Sequence, residues 1–294
     1  GEPLYIEQIR RLVYRSAFIQ AQYPLSRFSR FEMGLEATSA DDAIYQTIIP
    51  LVSEITVQKI GLGTHNYVAP RLALVHDNSV QGYIGPWAGR RSRFEVAQAV
   101  GGWRFTQVTA DYRRYDKIAG PVLFATRALM FGRFGRDAQL IQNFIGDPSF
   151  LRGQTSGSYS RNECTSALAA PPPTGSASGC VALDRLIGSR MALGSAEIRF
   201  PILTRQLIHT LPSAVPPIEA AIFYDIGVAW NNGNTLKWSL EQGDNPELVR
   251  TPLQSYGFSV RTNLFGFMIL RLDMARPLDR AIKSLWTLSL GPTW

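Results

Sequence analysis

From Ser255 onward the chain alternates. Ser255, Gly257, Ser259, Arg261 and Asn263 fall on one face, and Tyr256, Phe258, Val260, Thr262 and Leu264 on the other. Successive side chains of an extended chain point to opposite sides, so this period predicts a strand with one almost wholly apolar face. After a turn at Gly266 the pattern resumes, with Met268, Leu270, Leu272 and Met274 set against Ile269, Arg271, Asp273 and Ala275. Trp286, Leu288 and Leu290 repeat it against Thr287, Ser289 and Gly291, and the chain ends at Trp294. Upstream, Ile222, Tyr224, Ile226, Val228 and Trp230 oppose Phe223, Asp225, Gly227 and Ala229, and Ala196, Ile198 and Phe200 oppose Ser195, Glu197 and Arg199. Further strands are predicted in Pro121 to Phe134, Trp103 to Tyr115, Ser92 to Val100, Tyr67 to Asn78, Ser29 to Thr38 and Arg11 to Tyr23. The pattern gives about eleven strands of about ten residues, with no amphipathic helix between them. At ~3.3 Å per residue and a tilt near ~45°, each covers about the 25 Å apolar band of a membrane barrel.

A soluble sandwich also has one apolar and one polar face per strand, so period two alone does not separate the two architectures. Connection lengths favour the membrane barrel. Long connections are expected at Ser39 to Asn66, Gly135 to Gly188 and Asn231 to Gln254, all on one side if each strand crosses once. Those at Pro24 to Phe28, Asp116 to Gly120 and Leu264 to Gly266 are short. Outer-membrane barrels have this asymmetry of long outer loops and short periplasmic turns. Leu203 to Pro217 is long for a turn, and Gly101-Gly102 short for an outer loop. Tyr23, Trp103, Tyr115, Trp230, Tyr256 and Trp294 stand at strand ends, as interfacial girdles would have them, although ordinary core aromatics fit equally well.

Composition narrows the field. Hydrophobic residues make up 45% of the 294 but are dispersed, and no apolar run is long enough for a membrane helix. No composition break divides residues 1–294, so one domain is expected. The net charge of +7 comes from scattered arginines that face solvent or a lumen, with no basic stripe for nucleic acid. No leader segment is visible at Gly1-Glu2-Pro3-Leu4. Cys164 and Cys180 bracket a Ser/Ala/Pro/Gly stretch that cannot build a core. A disulfide there would restrict the unfolded chain by about 3 kcal/mol and suits an oxidising compartment; the alternative is two unrelated thiols.

Several segments resemble a known family. Ile145-Gly146-Asp147-Pro148-Ser149-Phe150-Leu151-Arg152-Gly153-Gln154 is similar to the loop of the BamA-type insertase and two-partner-secretion transporter superfamily, whose core reads Val-Arg-Gly-Tyr or Val-Arg-Gly-Phe. Arg152-Gly153 keeps its centre, while Leu151 and Gln154 depart from it. Phe223-Tyr224-Asp225-Ile226-Gly227 resembles the family's aromatic-x-Asp-x-Gly strand, and Gly194 to Pro201 the strand before it. The end of the chain, with Leu288, Leu290, Gly291 and Trp294, is similar to the final strand, which closes on an aromatic residue. The likeness is strongest over Phe144 to Trp294 and looser over Arg11 to Phe134, where Gly85-Pro86 and Gly89-Arg90-Arg91 resemble a bacterial surface-antigen subgroup.

The resemblance implies an all-β fold: a transmembrane antiparallel β-barrel of outer-membrane type, with about eleven of about sixteen strands present. The strands before Arg11 and any periplasmic domain would then lie upstream of this sequence. It also implies that the long outer loop 136–187 enters the lumen and latches there. Alternation points Asp225, Gly227, Glu197 and Arg199 inward, and the planar fork of Arg152 can bind a carboxylate through two bonds while Gly153 and Gly227 allow close approach. Alternatively Asp225 pairs with Arg199 or with water, and Arg152 faces solvent.

Enzyme chemistry finds little support. His65, His76 and His209 have no ligand-spaced partners, so no metal site and no cofactor are expected. Gly153-Gln154-Thr155-Ser156-Gly157 imitates a nucleophile elbow with Thr in the nucleophile position, and His76-Asp77-Asn78-Ser79 holds triad residue types as mere neighbours. Three functions remain. One is protein insertion or translocation at the bacterial outer membrane; another is a structural or anchoring barrel or passive pore, attached to a periplasmic domain or membrane complex; the third is a barrel enzyme. The expected partners are outer-membrane lipids, unfolded barrel or secreted proteins, and periplasmic or membrane-complex proteins; nucleic acid is not among them.

Overall fold

The computed structural model describes residues 4–50, 55–166, 180–203, 216–239, 248–266 and 268–291. Eleven long strands form one antiparallel sheet in sequence order. They are β1 (Leu4–Pro24), β2 (Ser29–Pro50), β3 (Thr56–Asp77), β4 (Pro86–Gly101), β5 (Phe105–Ala119), β6 (Val122–Phe134), β7 (Arg190–Leu203), β8 (Ile218–Trp230), β9 (Leu253–Leu264), β10 (Met268–Pro277) and β11 (Leu285–Leu290). Among the described residues no ladder joins β1 to β11, so these eleven strands form an open sheet and not a closed barrel.

The alternation in the sequence becomes two faces of a curled sheet. Ser255, Ser259, Arg261, Arg271 and Asp273 are buried on the concave side, while Phe258, Leu272 and Leu288 are exposed on the convex side; Leu270 is half-buried. On β7 and β8, Glu197, Arg199, Phe223 and Asp225 point inward, and Ile198, Ile222 and Tyr224 outward. Apolar side chains exposed in rows over polar ones buried invert the arrangement of a water-soluble domain.

The connections differ from expectation in one place. Ser39 to Asn66 is not a loop: the β2–β3 ladder continues from Ala40↔His65 to Ile48↔Thr56, with an irregularity beside Asp42. Adjacent Asp41 and Asp42 interrupt the apolar alternation, yet each finds a cation on its own face. Asp42 accepts from Arg10 Nε at 2.9 Å and Nη2 at 2.5 Å. Asp41 pairs with Arg15 and accepts from Thr64 Oγ1 at 2.6 Å. With both charges met and Ile44, Tyr45, Thr47 and Ile48 favouring extended backbone, the ladder persists.

Two girdle candidates also fall elsewhere. Trp103 and Tyr115 are only 2% and 3% exposed. Trp103 stacks on His65 at 5.0 Å and on Tyr67 at 6.0 Å in a cluster with Ala40, Ala99 and Phe105. Tyr23 and Tyr256 are exposed. The segments holding Trp294, His209 and most of Leu203 to Pro217 lie outside the described residues.

Candidate functional site

The segment between β6 and β7 folds back against the concave face. Its two limbs pair at Asn143↔Gly188 and Phe144↔Ile187, and Ile145 N–H donates to the Leu186 carbonyl at 2.9 Å. Ile145, Leu151 and Leu186 are fully buried against Leu129, Met191, Leu193 and Ala229. At roughly 1.5–3 kcal/mol for each large apolar side chain removed from water, this cluster is the apolar anchor of the loop. Asp147 closes the turn that follows, accepting from Ser149 N–H at 2.8 Å and Ser149 Oγ at 2.5 Å.

That turn aims Arg152 at the centre of the sheet. Its Nε donates to Asp225 Oδ2 at 2.6 Å and its Nη2 to Asp225 Oδ1 at 2.7 Å, the parallel fork that suits a carboxylate. Its Nη1 donates to Glu197 Oε1 at 2.6 Å and to Ser259 Oγ at 3.3 Å. The guanidinium lies over the Phe223 ring, 3.5 Å from its centroid. Glu197 also accepts from Arg199 Nε at 2.7 Å and from Arg261 Nη2 at 2.6 and 2.7 Å, so one carboxylate gathers three arginines. Arg199 thus turns to Glu197, and Asp225 receives Arg152 from the loop. Arg152, Glu197, Arg199, Asp225 and Arg261 are all no more than 2% exposed. Charges so far from water persist only as a compensated network.

Two glycines allow the approach. Gly153 has φ +83°, a conformation that side chains other than glycine's adopt at a cost, and an added Cβ would lie 3.2 Å from Ala275 Cβ. At Gly227 a Cβ would come within 2.5 Å of Leu193 Cδ2 and 3.5 Å of Leu151 Cδ2, closing the space the loop fills.

A second attachment, not legible in the sequence, lies beyond the tip. Arg280, in the turn between β10 and β11, donates to the Gly153 carbonyl at 3.0 Å and the Ser158 carbonyl at 2.8 Å, pairs with Glu163 at 2.9 Å, and lies over the Tyr159 ring. Gln154, where the chain departs from the family's aromatic residue, donates to Asp279 at 2.9 Å and accepts from Tyr159 Oη at 2.5 Å. Burial pushes the Asp279 carboxyl above its ordinary pKa against the opposing pull of Arg185. The hydrogen bond from Arg280 holds Glu163 below the ordinary carboxylate range. Nothing in the local sequence pairs positions more than a hundred residues apart, as Arg280 and Glu163 or Gln154 and Asp279 are.

Cys164 and Cys180 are joined in a disulfide that ties α1 (Arg161–Ser166) to α2 (Val181–Asp184). His76 Nδ1 is bonded to Ser29 Oγ at 2.9 Å and Ser79 Oγ donates to Asp77 at 2.6 Å, so these residues form no relay. On β11, Leu288 and Leu290 are exposed on the convex face, and Gly291 follows them.

No curated protein matches the chain by sequence. Among solved structures it is similar to BamA from Haemophilus ducreyi lacking POTRA domains 1-3, with 14% identity and a TM-score of 0.62, a likeness of fold. The match covers 96% of this chain and 55% of that one, so the chain spans about half the length of the solved relative. The Omp85 superfamily domain matches residues 20–291, and a match of that extent, with the Arg152 loop folded onto β7 to β9, means that the chain belongs to the Omp85 superfamily.

Proposed function

We propose that residues 1–294 are the C-terminal portion of a single β-barrel domain in the bacterial outer membrane, and that the protein takes part in inserting or translocating other proteins there. The observation that carries this reading is the loop tip: Arg152 holds Asp225 in a two-bond fork and Glu197 in a third bond, all out of contact with water. A passive anchor or pore gains nothing from burying a loop's guanidinium among strand carboxylates. A machine that must open and reclose its wall gains a latch that keeps loop 136–187, β7, β8 and β9 in register. The exposed apolar convex face, including Ile222, Phe258, Leu272 and Leu288, suits contact with outer-membrane lipids. Unfolded barrel or secreted proteins are the proposed substrates, and periplasmic or membrane-complex proteins the proposed partners.

The test is reconstitution of the full-length protein in liposomes, with the folding of a urea-unfolded outer-membrane barrel followed by gel mobility and the passage of a secreted substrate by protease protection. Faster folding or passage than in empty liposomes, slowed by Arg152→Ala, is the expected result. If neither reaction is accelerated, the anchoring or pore reading is the better one.

A further inference from the structure

Below the loop tip the concave face encloses a cavity of about 440 Å³ whose wall is basic. Arg91 of β4, Arg113 of β5, Arg127 of β6 and Arg271 of β10 all line it, and among the described residues no acidic one does. Its roof is Ser149 and Phe150. Its floor is the segment 79–86, the β3–β4 connection, which crosses beneath the concave face: Gly82 N–H donates to the Gly85 carbonyl at 2.8 Å, and the Tyr83 carbonyl accepts from Asn263 Nδ2 on β9 at 2.6 Å.

The nearby carboxylates stand behind this wall and do not saturate it. Arg113 is held tightly by Asp111 at 2.6 Å, and Arg271 Nε forms an ion pair with Asp273 at 2.8 Å in which it makes no hydrogen bond. Arg127 shares that same Asp111 only at 3.4 Å, and Arg91 Nε stands 3.7 Å from Asp77, beyond hydrogen-bond length. Four guanidiniums thus meet three carboxylates in these pairs, and the two loosely held ones, Arg91 and Arg127, face the same space.

The geometry points to a binding site for a phosphate-bearing anion in this cavity. Guanidiniums from β4, β5, β6 and β10 line it, and a tetrahedral phosphate can accept from several directions at once, whereas a planar carboxylate offers two oxygens in one plane. The volume admits more than one phosphate group. The arginines that line the cavity belong to the polar concave face and the exposed apolar side chains to the convex one, which assigns the ligand to a soluble phosphate compound. Arg127 Nη1 also donates to the Ser149 carbonyl at 3.1 Å, and Arg271 Nη2 to the Pro148 carbonyl at 2.7 Å. An anion that draws on these two arginines therefore acts on the turn that carries Arg152.

The full-length protein in zwitterionic detergent at low salt, titrated calorimetrically with sodium pyrophosphate, should bind it saturably. The cavity variant Arg91→Gln/Arg127→Gln should bind roughly tenfold or more weakly, since charge-assisted hydrogen bonds are lost. Arg90→Gln/Arg114→Gln, which removes the same charge from the convex face, should bind as the parent does. Phenylglyoxal modification of the unaltered protein gives a readout that needs no variant: pyrophosphate should protect Arg91 and Arg127 selectively. If phosphatidylglycerol in mixed micelles displaces pyrophosphate, the phosphate site stands and its source is a headgroup. Absence of saturable binding, equal affinity in both double variants, or no protection of Arg91 and Arg127 would overturn the site.

Discussion

Replacing Arg152 by Ala removes the fork on Asp225 and one of the three guanidiniums on Glu197. Among the described residues Asp225 has no other ion-pair partner, whereas Glu197 keeps Arg199 and Arg261. Leaving a buried charge without its partner costs about 3–5 kcal/mol, and Asp225 at 1% exposure has little water to turn to. Asp225→Ala should cost less, about 3 kcal/mol, because Arg152 retains Glu197 at 2.6 Å and Ser259 at 3.3 Å. The two changes break the same pair of bonds, so Arg152→Ala/Asp225→Ala should be less harmful than the sum by about 2–3 kcal/mol. Arg152→Lys, which keeps the charge and loses the fork, should fall between parent and Ala. Urea unfolding of the full-length protein in detergent supplies the energies, and protease cleavage within loop 136–187 reports whether the tip has detached. A coupling below about 0.5 kcal/mol would refute the view that the fork holds the loop.

Gly153→Ala should destabilise the loop by about 1–2 kcal/mol through the φ of +83° and the crowding against Ala275, read as faster cleavage next to it. Glu163 is held below its ordinary value of 4.5 by Arg280, so its contribution is present above that value and is lost as the pH falls through the lowered one. Acid titration of loop protection should accordingly show a loss that Glu163→Gln abolishes, and an unchanged profile in that variant would contradict the pairing. Mass mapping of a non-reduced digest should recover Cys164 and Cys180 in one linked peptide, whereas two alkylatable thiols in the native protein would contradict the disulfide.

Strand existence was legible because period two is written into each segment independently: β7 to β11 can be read residue by residue, down to the inward parity of Glu197, Asp225, Arg261 and Asp273. The β2–β3 extension was not, since Asp41-Asp42 reads as a loop until Arg10 and Arg15 on a neighbouring strand are brought beside them. At the site, residue types and parity marked the carboxylates, and the family resemblance marked Arg152. The gathering of three arginines on Glu197 was hidden, because it depends on the stagger of β7, β8 and β9 and not on any local spacing. The Arg280 attachment was hidden for the same reason. Trp103 shows the limit of reading an aromatic residue by its place at a strand end, since its partners Tyr14, His65 and Tyr67 come from two other strands.

In the proposed arrangement the convex face of the sheet meets lipid, and the concave face is polar and filled by the Arg152 loop. Single spin labels on the full-length protein in liposomes test it most directly, by comparing accessibility to oxygen, which concentrates in lipid, with accessibility to a water-soluble nickel chelate. Labels at Phe258, Leu272 and Leu288 should favour oxygen, and labels at Arg271 and Thr287 on the same strands should not, reversing from one residue to the next along β10 and β11. Equal accessibility of neighbouring positions would contradict the placement of this sheet in a membrane.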